Sequence, residues 1–413
     1  MSSKITSNTK PKGLENVGAT CYMNAVLQCF YHVKPLSSEL IQYNLPQNLV
    51  NQMPMTFAYL DVVNQLSSND RYAGKPIFFK NVISMNPLFT GVQANDSKDL
   101  ILYFLETIDF ELTKLNIFSQ NNKMYNTIRY MEVFPQPELQ NIFNVFVNGH
   151  KSIFSDLFYG FMSQTIECSQ CKLKLTNYQI FNFIIFPIEN VYNSRKKNNS
   201  NNYNNESYKS KNKNYHYTNP ADMPPAGKPS YTSNSAYGSW YNKTAPLKND
   251  YKPSSQYKTS YDYSNGKKSV TLIDCFESEI DEINFKGENQ IYCNKCNKLL
   301  DAKGKNRIFS SPHVLILILN RGKANKFDCD VEFEENLNIQ KYITSEQCPT
   351  NYKLIGVISH YGESSMSGHF TADCRHFDGK WYCFNDGIVS GPSTYYNKKG
   401  TPYILFYENK DHF

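Results

Sequence analysis

The sequence predicts an α+β protein, with helices in the first half and an antiparallel sheet in the last third. Two shifts of apolar period and one shift of composition carry that expectation. Apolar residues recur at helical spacing over residues 20–33 and again over 97–115. Beyond residue 312 the pattern changes to short β-rich runs separated by turn residues. Between residues 190 and 268 large aliphatic side chains and Phe almost vanish.

In the first helix Met23, Val26, Leu27 and Phe30 fall at i, i+3, i+4 and i+7, which is one helical face. Thr20 is the expected N-cap, so Cys21 takes the first helical position. A second helix is expected from about Ser97 to Leu115, with Ile101, Phe104, Leu105, Ile108 and Leu112 along its stripe. The expected strands are HVLILIL (313–319), KLIGVIS (353–359), HFTADC (369–374), KWYCFN (380–385) and YILFY (403–407).

Bulk properties exclude several classes. The chain has 413 residues, 40% hydrophobic and 19% charged, the balance of an ordinary globular protein. Its longest apolar run, Val314 to Leu319, is far short of the roughly 18 residues a membrane span needs. The first 13 residues hold no apolar stretch, which predicts no secretory signal and a cytoplasmic or nuclear setting. Eleven cysteines, an odd number, argue against a disulfide framework. Cys29, Cys275 and Cys374 read as small buried hydrophobes.

The formal charge of +6 is local. Residues 190–268 hold 13 Lys or Arg against Glu206, Asp222, Asp250 and Asp262, so the rest of the chain is slightly acidic. Val191, Met223 and Leu247 are the segment's only Val, Ile, Leu, Met or Phe residues, too few to offset the entropy of ordering. A disordered insertion is expected, lying between strands at Phe186-Pro187-Ile188 and Val270-Thr271-Leu272-Ile273. Its interleaved Tyr and Lys also fit single-stranded nucleic acid, but composition favours a solvated spacer.

The chemistry starts at Cys21. A thiol reacts as thiolate, and the positive end of a helix favours that form. Free backbone N–H groups at the same end can hold an oxyanion, and Asn16 can add a side-chain amide. Alone, such a cysteine would read as core. Near the C-terminus a polar loop from Gly362 to Gly368 delivers His369 to the start of a strand. Asn385 and Asp386 end the next strand, and antiparallel pairing would set one of them beside the imidazole as its orienting partner. His360 and His376 are expected to be ordinary histidines.

Two knuckles, Cys168-Ser-Gln-Cys171 and Cys293-Asn-Lys-Cys296, have the spacing of a tetrahedral Zn²⁺ site. With the insertion set aside, the residues left between them suit strands running out and back. A redox role would need a βαβ context that is missing from the sequence around either pair.

The block GLENVGATCYMNAVLQCF resembles the cysteine box of the ubiquitin-specific protease family, and GVISHYGESSMSGHFTADCR resembles its histidine box. The resemblance covers nearly the whole chain outside the insertion. It implies a papain-like thumb and palm with a β fingers subdomain, which in many members carries a zinc ribbon. On that pattern residues 1–12 form a flexible tail and about 13–150 the thumb. The fingers take about 151–189 and 269–312, and the palm about 313–413. Cys21 matches the nucleophile, His369 the base, Asn385 the third member and Asn16 the oxyanion amide, with Asp386 assisting. The segment Asn95-Asp-Ser-Lys-Asp-Leu100 is similar to the one that grips the ubiquitin tail, which assigns Asp96 and Asp99 to substrate binding, and Phe370, next to the base, is assigned to substrate binding as well. Asp96 and Asp99 read equally as a capping box of the second helix. The implied activity is hydrolysis after the C-terminal glycine of ubiquitin through a thioester, with ubiquitin and ubiquitinated proteins as partners. A protease for a ubiquitin-like modifier and a non-catalytic ubiquitin-binding scaffold are the alternatives.

Overall fold

A computed structural model describes residues 8–43, 45–68, 70–90, 95–115, 117, 152–200, 268–322, 327–345, 348–364, 367–396 and 400–410. The first helix, α1 (Cys21–Tyr31), begins where the pattern places it, although Thr20 does not cap it through its side chain. The Thr20 hydroxyl instead accepts from the Val17 backbone N–H at 3.0 Å. Every residue of α1 is buried, so its one apolar face understates its surroundings. The amide nitrogens of its Asn and Gln tolerate burial because they are paired, while Asn24 Oδ1 and Gln28 Oε1 find no partner among the described residues. Gln28 Nε2 donates to the Lys12 carbonyl at 2.8 Å, and Asn24 Nδ2 points at the Leu14 and Glu15 carbonyls.

Among the described residues three more α-helices lie between α1 and the second expected helix, α2 (Lys34–Leu40), α3 (Pro54–Ser67) and α4 (Ile77–Ile83). The expected helix is α5 (Ser97–Lys114), with Leu100, Ile101, Phe104, Leu105, Ile108 and Leu112 buried. Asp96 is its N-cap and accepts from Lys98 N at 2.9 Å. The reciprocal half of a capping box is absent. Asp99 instead takes the Lys98 ammonium at 2.6 Å, a partner one residue away and better charged than a backbone amide. Phe30 and Phe104 meet edge to face at 4.8 Å, joining α1 to α5. A short helix, α6 (Ile153–Phe158), follows.

The large sheet contains all five expected strands: β9 (Val314–Asn320), β12 (Asn351–Ser364), β13 (Ser367–Arg375), β14 (Trp381–Asn385) and β16 (Thr401–Asn409). Strands β3 (Ile184–Pro187), β11 (Asn336–Asn338) and β15 (Ile388–Ser393) complete it, in the order β15-β14-β13-β12-β16-β9-β3 with β11 against β12. β9 is buried almost throughout, as a central strand must be. A second sheet joins β1 (Gly160–Cys168), β2 (Lys174–Phe181), β5 (Glu282–Phe285) and β8 (Ala302–Ser310). At its tip β6 (Ile291–Cys293) and β7 (Lys298–Leu300) form a hairpin.

Four expectations about the layout of the chain change. β3 runs parallel to β9 in the large sheet rather than joining the second sheet with the expected fingers strands; its alternate residues Ile184 and Phe186 are buried in one apolar cluster with Phe276, Leu317 and Tyr407. The segment set aside on composition starts as helix α7 (Ile188–Ser200), because Val191 is buried and Arg195 pairs with Asp274 at 2.7 Å. The expected strand at 270–273 is only β4 (Ser269–Thr271), parallel to β10 (Asp330–Glu332); a Thr271–Asp274 capping box turns the chain into α8 (Leu272–Ile280). Nor is the N-terminal tail free up to residue 12. Lys12 is buried and donates to the Gln65 carbonyl and Asp70, and the Thr9 carbonyl meets His376 Nε2 at 2.7 Å. Residues 1–7, 118–150 of the expected thumb, residue 151 and 201–267 of the insertion lie outside the described residues. Among the described residues no helix is long and apolar enough to cross a membrane.

Candidate active site

Helix α1 packs against β13, which brings the two chemical blocks together from opposite ends of the chain. Antiparallel pairing of β13 with β14 then sets the end of β14 beside His369. His369 Nε2 lies 2.6 Å from Asn385 Oδ1. An amide oxygen only accepts, so Nε2 carries the proton and the lone pair sits on Nδ1. Cys21 is buried, and burial pushes its thiol up. A backbone hydrogen bond from Phe370 pulls the other way, and the Asp386 carboxylate adds to the rise. Desolvation thus outweighs the helix end on which thiolate formation was expected to rest.

Asp386 does not meet the imidazole. Its carboxylate accepts from Asn16 Nδ2 at 3.0 Å and from Asn24 Nδ2 at 2.8 Å. The residue stands at φ +50°, and its own carbonyl accepts from Leu14 N at 3.0 Å. That seam is close enough that a Cβ on Gly13 would lie 2.5 Å from the Asp386 oxygen, so only glycine fits there. Asn16 Oδ1 accepts from Gly18 N and Thr20 N, which leaves one Nδ2 proton for a further acceptor. Asn24 was not singled out in the sequence. Its signal was a polar residue three places after Cys21 in a mostly apolar helix.

The remaining candidates divide. Asp96 is mostly enclosed and accepts the Tyr403 hydroxyl at 2.8 and 2.9 Å, while Asp99 is half exposed. Phe370 departs from its expected contact with substrate: its side chain is 1% exposed, packed on His360 and Tyr403, so only its backbone reaches the site. His376 joins His32 at 2.9 Å in the interior, and Cys29, Cys275 and Cys374 are buried, as expected.

At the tip of the second sheet Cys168, Cys171, Cys293 and Cys296 place their sulfurs within 4.8 Å of one another. The two knuckles share one geometry. Lys172 N bonds the Cys168 carbonyl and Asn297 N the Cys293 carbonyl, and both following residues are left-handed, Lys172 at φ +59° and Asn297 at φ +52°. Tetrahedral Zn²⁺ with sulfurs at about 2.3 Å needs four such thiolates converging, so the donor set fits the metal. Such a zinc would be structural, since four protein ligands leave no open position. All eleven cysteines are free thiols.

Over residues 12–407 the chain matches the family model described as ubiquitin carboxyl-terminal hydrolase. It is 23% identical over 418 residues to "Ubiquitin carboxyl-terminal hydrolase 21" of Homo sapiens, covering 96% of this chain and 61% of the relative. To "Ubiquitin carboxyl-terminal hydrolase 10" of Saccharomyces cerevisiae it is 24% identical over 396 residues, covering 93% of this chain and 45% of the relative. The chain therefore spans about half to three fifths of the length of these relatives. Among solved structures it is similar to the Ubp8-containing SAGA DUB module bound to monoubiquitin. That match has a TM-score of 0.60 at 19% identity and covers 100% of this chain and 72% of that one. The likeness is one of fold: thumb, palm and fingers.

Proposed function

Because the chain belongs to the ubiquitin carboxyl-terminal hydrolase family, we propose that it is a thiol-dependent deubiquitinase that hydrolyses the bond after the C-terminal glycine of ubiquitin. The observation that carries the reading is the 2.6 Å bond from His369 Nε2 to Asn385, in a site where the next residue's backbone reaches the Cys21 thiol. With its tautomer held, His369 takes the thiol proton on Nδ1. The Cys21 sulfur bonds to the glycine carbonyl carbon, and the carbonyl oxygen becomes an oxyanion. Backbone N–H groups at the start of α1 and the second Nδ2 proton of Asn16 stabilise it. His369 returns the proton to the leaving amine as the C–N bond breaks. Water, deprotonated by His369, then releases the thioester as a carboxylate and restores the thiol.

Asp386 acts as the support of Asn16. Asp96 and Asp99 receive the ubiquitin tail, with Asp96 fixed in place by Tyr403. The thumb comprises α1–α5, the fingers β1, β2 and β5–β8, and the palm β3 and β9–β16. Zinc, when bound by the four cysteines, would stiffen the tip of the fingers. Ubiquitin as the partner is supported by the monoubiquitin held in the neighbouring DUB module. Eleven cysteines outside any disulfide fit a reducing compartment, cytoplasmic or nuclear. The test is incubation with ubiquitin bearing a C-terminal electrophile, with the adduct mapped by mass spectrometry. A single ubiquitin on Cys21 is expected. Labelling elsewhere, or only by a ubiquitin-like protein, would sink the reading.

A further inference from the structure

Two successive residues ahead of α1 stand in the left-handed region, Gly18 at φ +107° and Ala19 at φ +50°. An alanine there costs roughly 1–2 kcal/mol, so the turn must be held by its surroundings. Part of the hold is internal. Asn16 Oδ1 takes the N–H groups of Gly18 and Thr20, and the Thr20 hydroxyl takes that of Val17. These bonds secure the donors of the turn. Its carbonyls are secured from outside, by Lys80 on α4. The Lys80 ammonium donates to the Val17 carbonyl at 2.6 Å and lies 3.4 Å from that of Gly18. It sits so close that a Cβ on Gly18 would come within 2.8 Å of Nζ. Phe79, Val82 and Ile83, buried on the same short helix, anchor it to the core.

We propose that Lys80 is a positioning residue for the oxyanion hole. It draws the Val17 and Gly18 carbonyls away from the site, so that the Asn16 amide and the first N–H groups of α1 converge on the substrate oxygen. The inference rests on the deubiquitinase reading and deepens it. Its physical basis is preorganisation: donors aimed at a developing negative charge work only when they need not move. Carbonyl oxygens left free to swing toward that charge would oppose it. A half-buried cation holding two of them outward prevents this without touching the substrate.

The test uses the full chain and ubiquitin carrying a fluorogenic amide at its C-terminus. Lys80→Met should lower kcat by about tenfold to a hundredfold with KM within about twofold, a loss below that of removing an oxyanion donor outright. Lys80→Arg, which keeps a donor and the charge, should recover most of it. The second readout is ubiquitin aldehyde, to which the Cys21 thiol adds across the C=O bond, placing an oxygen where the oxyanion forms. Lys80→Met should weaken the aldehyde by the same factor as kcat. Binding of unmodified ubiquitin, measured with Cys21→Ala present, should be unchanged. An active parent with an equally fast Lys80→Met overturns the assignment, as does equal weakening of ubiquitin and its aldehyde. A parent with no activity on the ubiquitin amide would sink the deubiquitinase reading itself. If Lys80→Met does not fold, Lys80→Gln and Lys80→Arg carry the same comparison, and a Lys80→Arg that folds without recovering turnover also overturns it.

Discussion

The Asp386 carboxylate receives the side-chain amide of Asn16 at 3.0 Å, while its neighbour Asn385 lies 2.6 Å from His369 Nε2. In the proposed mechanism these adjacent residues therefore serve opposite ends of one reaction. Asn385→Ala should lower kcat by roughly 10²–10⁴-fold, because the imidazole loses its tautomer and Asp386 is committed elsewhere. Asp386→Ala should cost up to roughly 10²–10³-fold through Asn16. Steady-state kinetics on a ubiquitin amide checks both. Activity of Asn385→Ala near that of the parent would mean that Asp386 reaches His369 after all.

Burial and the Asp386 charge both raise the Cys21 thiol above its ordinary range. A raised pKa leaves less thiolate at neutral pH than an exposed cysteine has. Alkylation of Cys21 by iodoacetamide in the free protein should therefore be slow at pH 7 and still rising above the ordinary thiol midpoint. Removing the negative charge in Asp386→Ala should move that profile to lower pH even as turnover falls. A midpoint below the ordinary thiol range in the parent would contradict the burial argument.

Cys21→Ala should abolish cleavage of ubiquitin conjugates while ubiquitin still binds, as calorimetry can read. His369→Ala should be nearly as severe, since no other described imidazole is placed to replace it. Residual turnover within tenfold of the parent in either variant would remove these residues from the mechanism.

The purified protein should contain one zinc per chain. Cys168→Ser should release it and lower the melting temperature, with turnover lost through folding and ubiquitin grip because the knuckles end the fingers sheet, away from Cys21. A metal-free preparation with unchanged melting and full activity would rule out a structural zinc.

Replacing residues 201–267 with a short Gly/Ser linker should change stability by about 1–2 kcal/mol at most, since loop closure depends only logarithmically on length. Starting the replacement at residue 190 should be worse. It removes Val191, whose burial contributes about 1.5–3 kcal/mol, and the Arg195–Asp274 pair. Urea unfolding of the two variants separates the cases. Equal stability would mean that α7 is dispensable, and failure of both would make 201–267 part of the fold.

Periodicity alone determined α1, α5 and the five main strands to within a few residues, because each buries a face whose spacing is written locally. The start of α1 fell at Cys21 although Thr20 does not cap it through its side chain, and the two knuckles were legible as local C-x-x-C spacing. Tertiary structure decided the rest. Composition condemned residues 190–200, yet one buried valine and one ion pair with a distant helix hold them helical. β3 reads as a fingers strand until its parallel register with β9 assigns it to the large sheet. Asp386 looks like a partner for His369 in sequence, since they lie on consecutive strands. A left-handed turn at φ +50° sets its carboxylate against Asn16 and Asn24 instead, contacts 370 and 362 residues away along the chain. No local pattern encodes a bond whose two ends meet only when a helix is laid against a sheet.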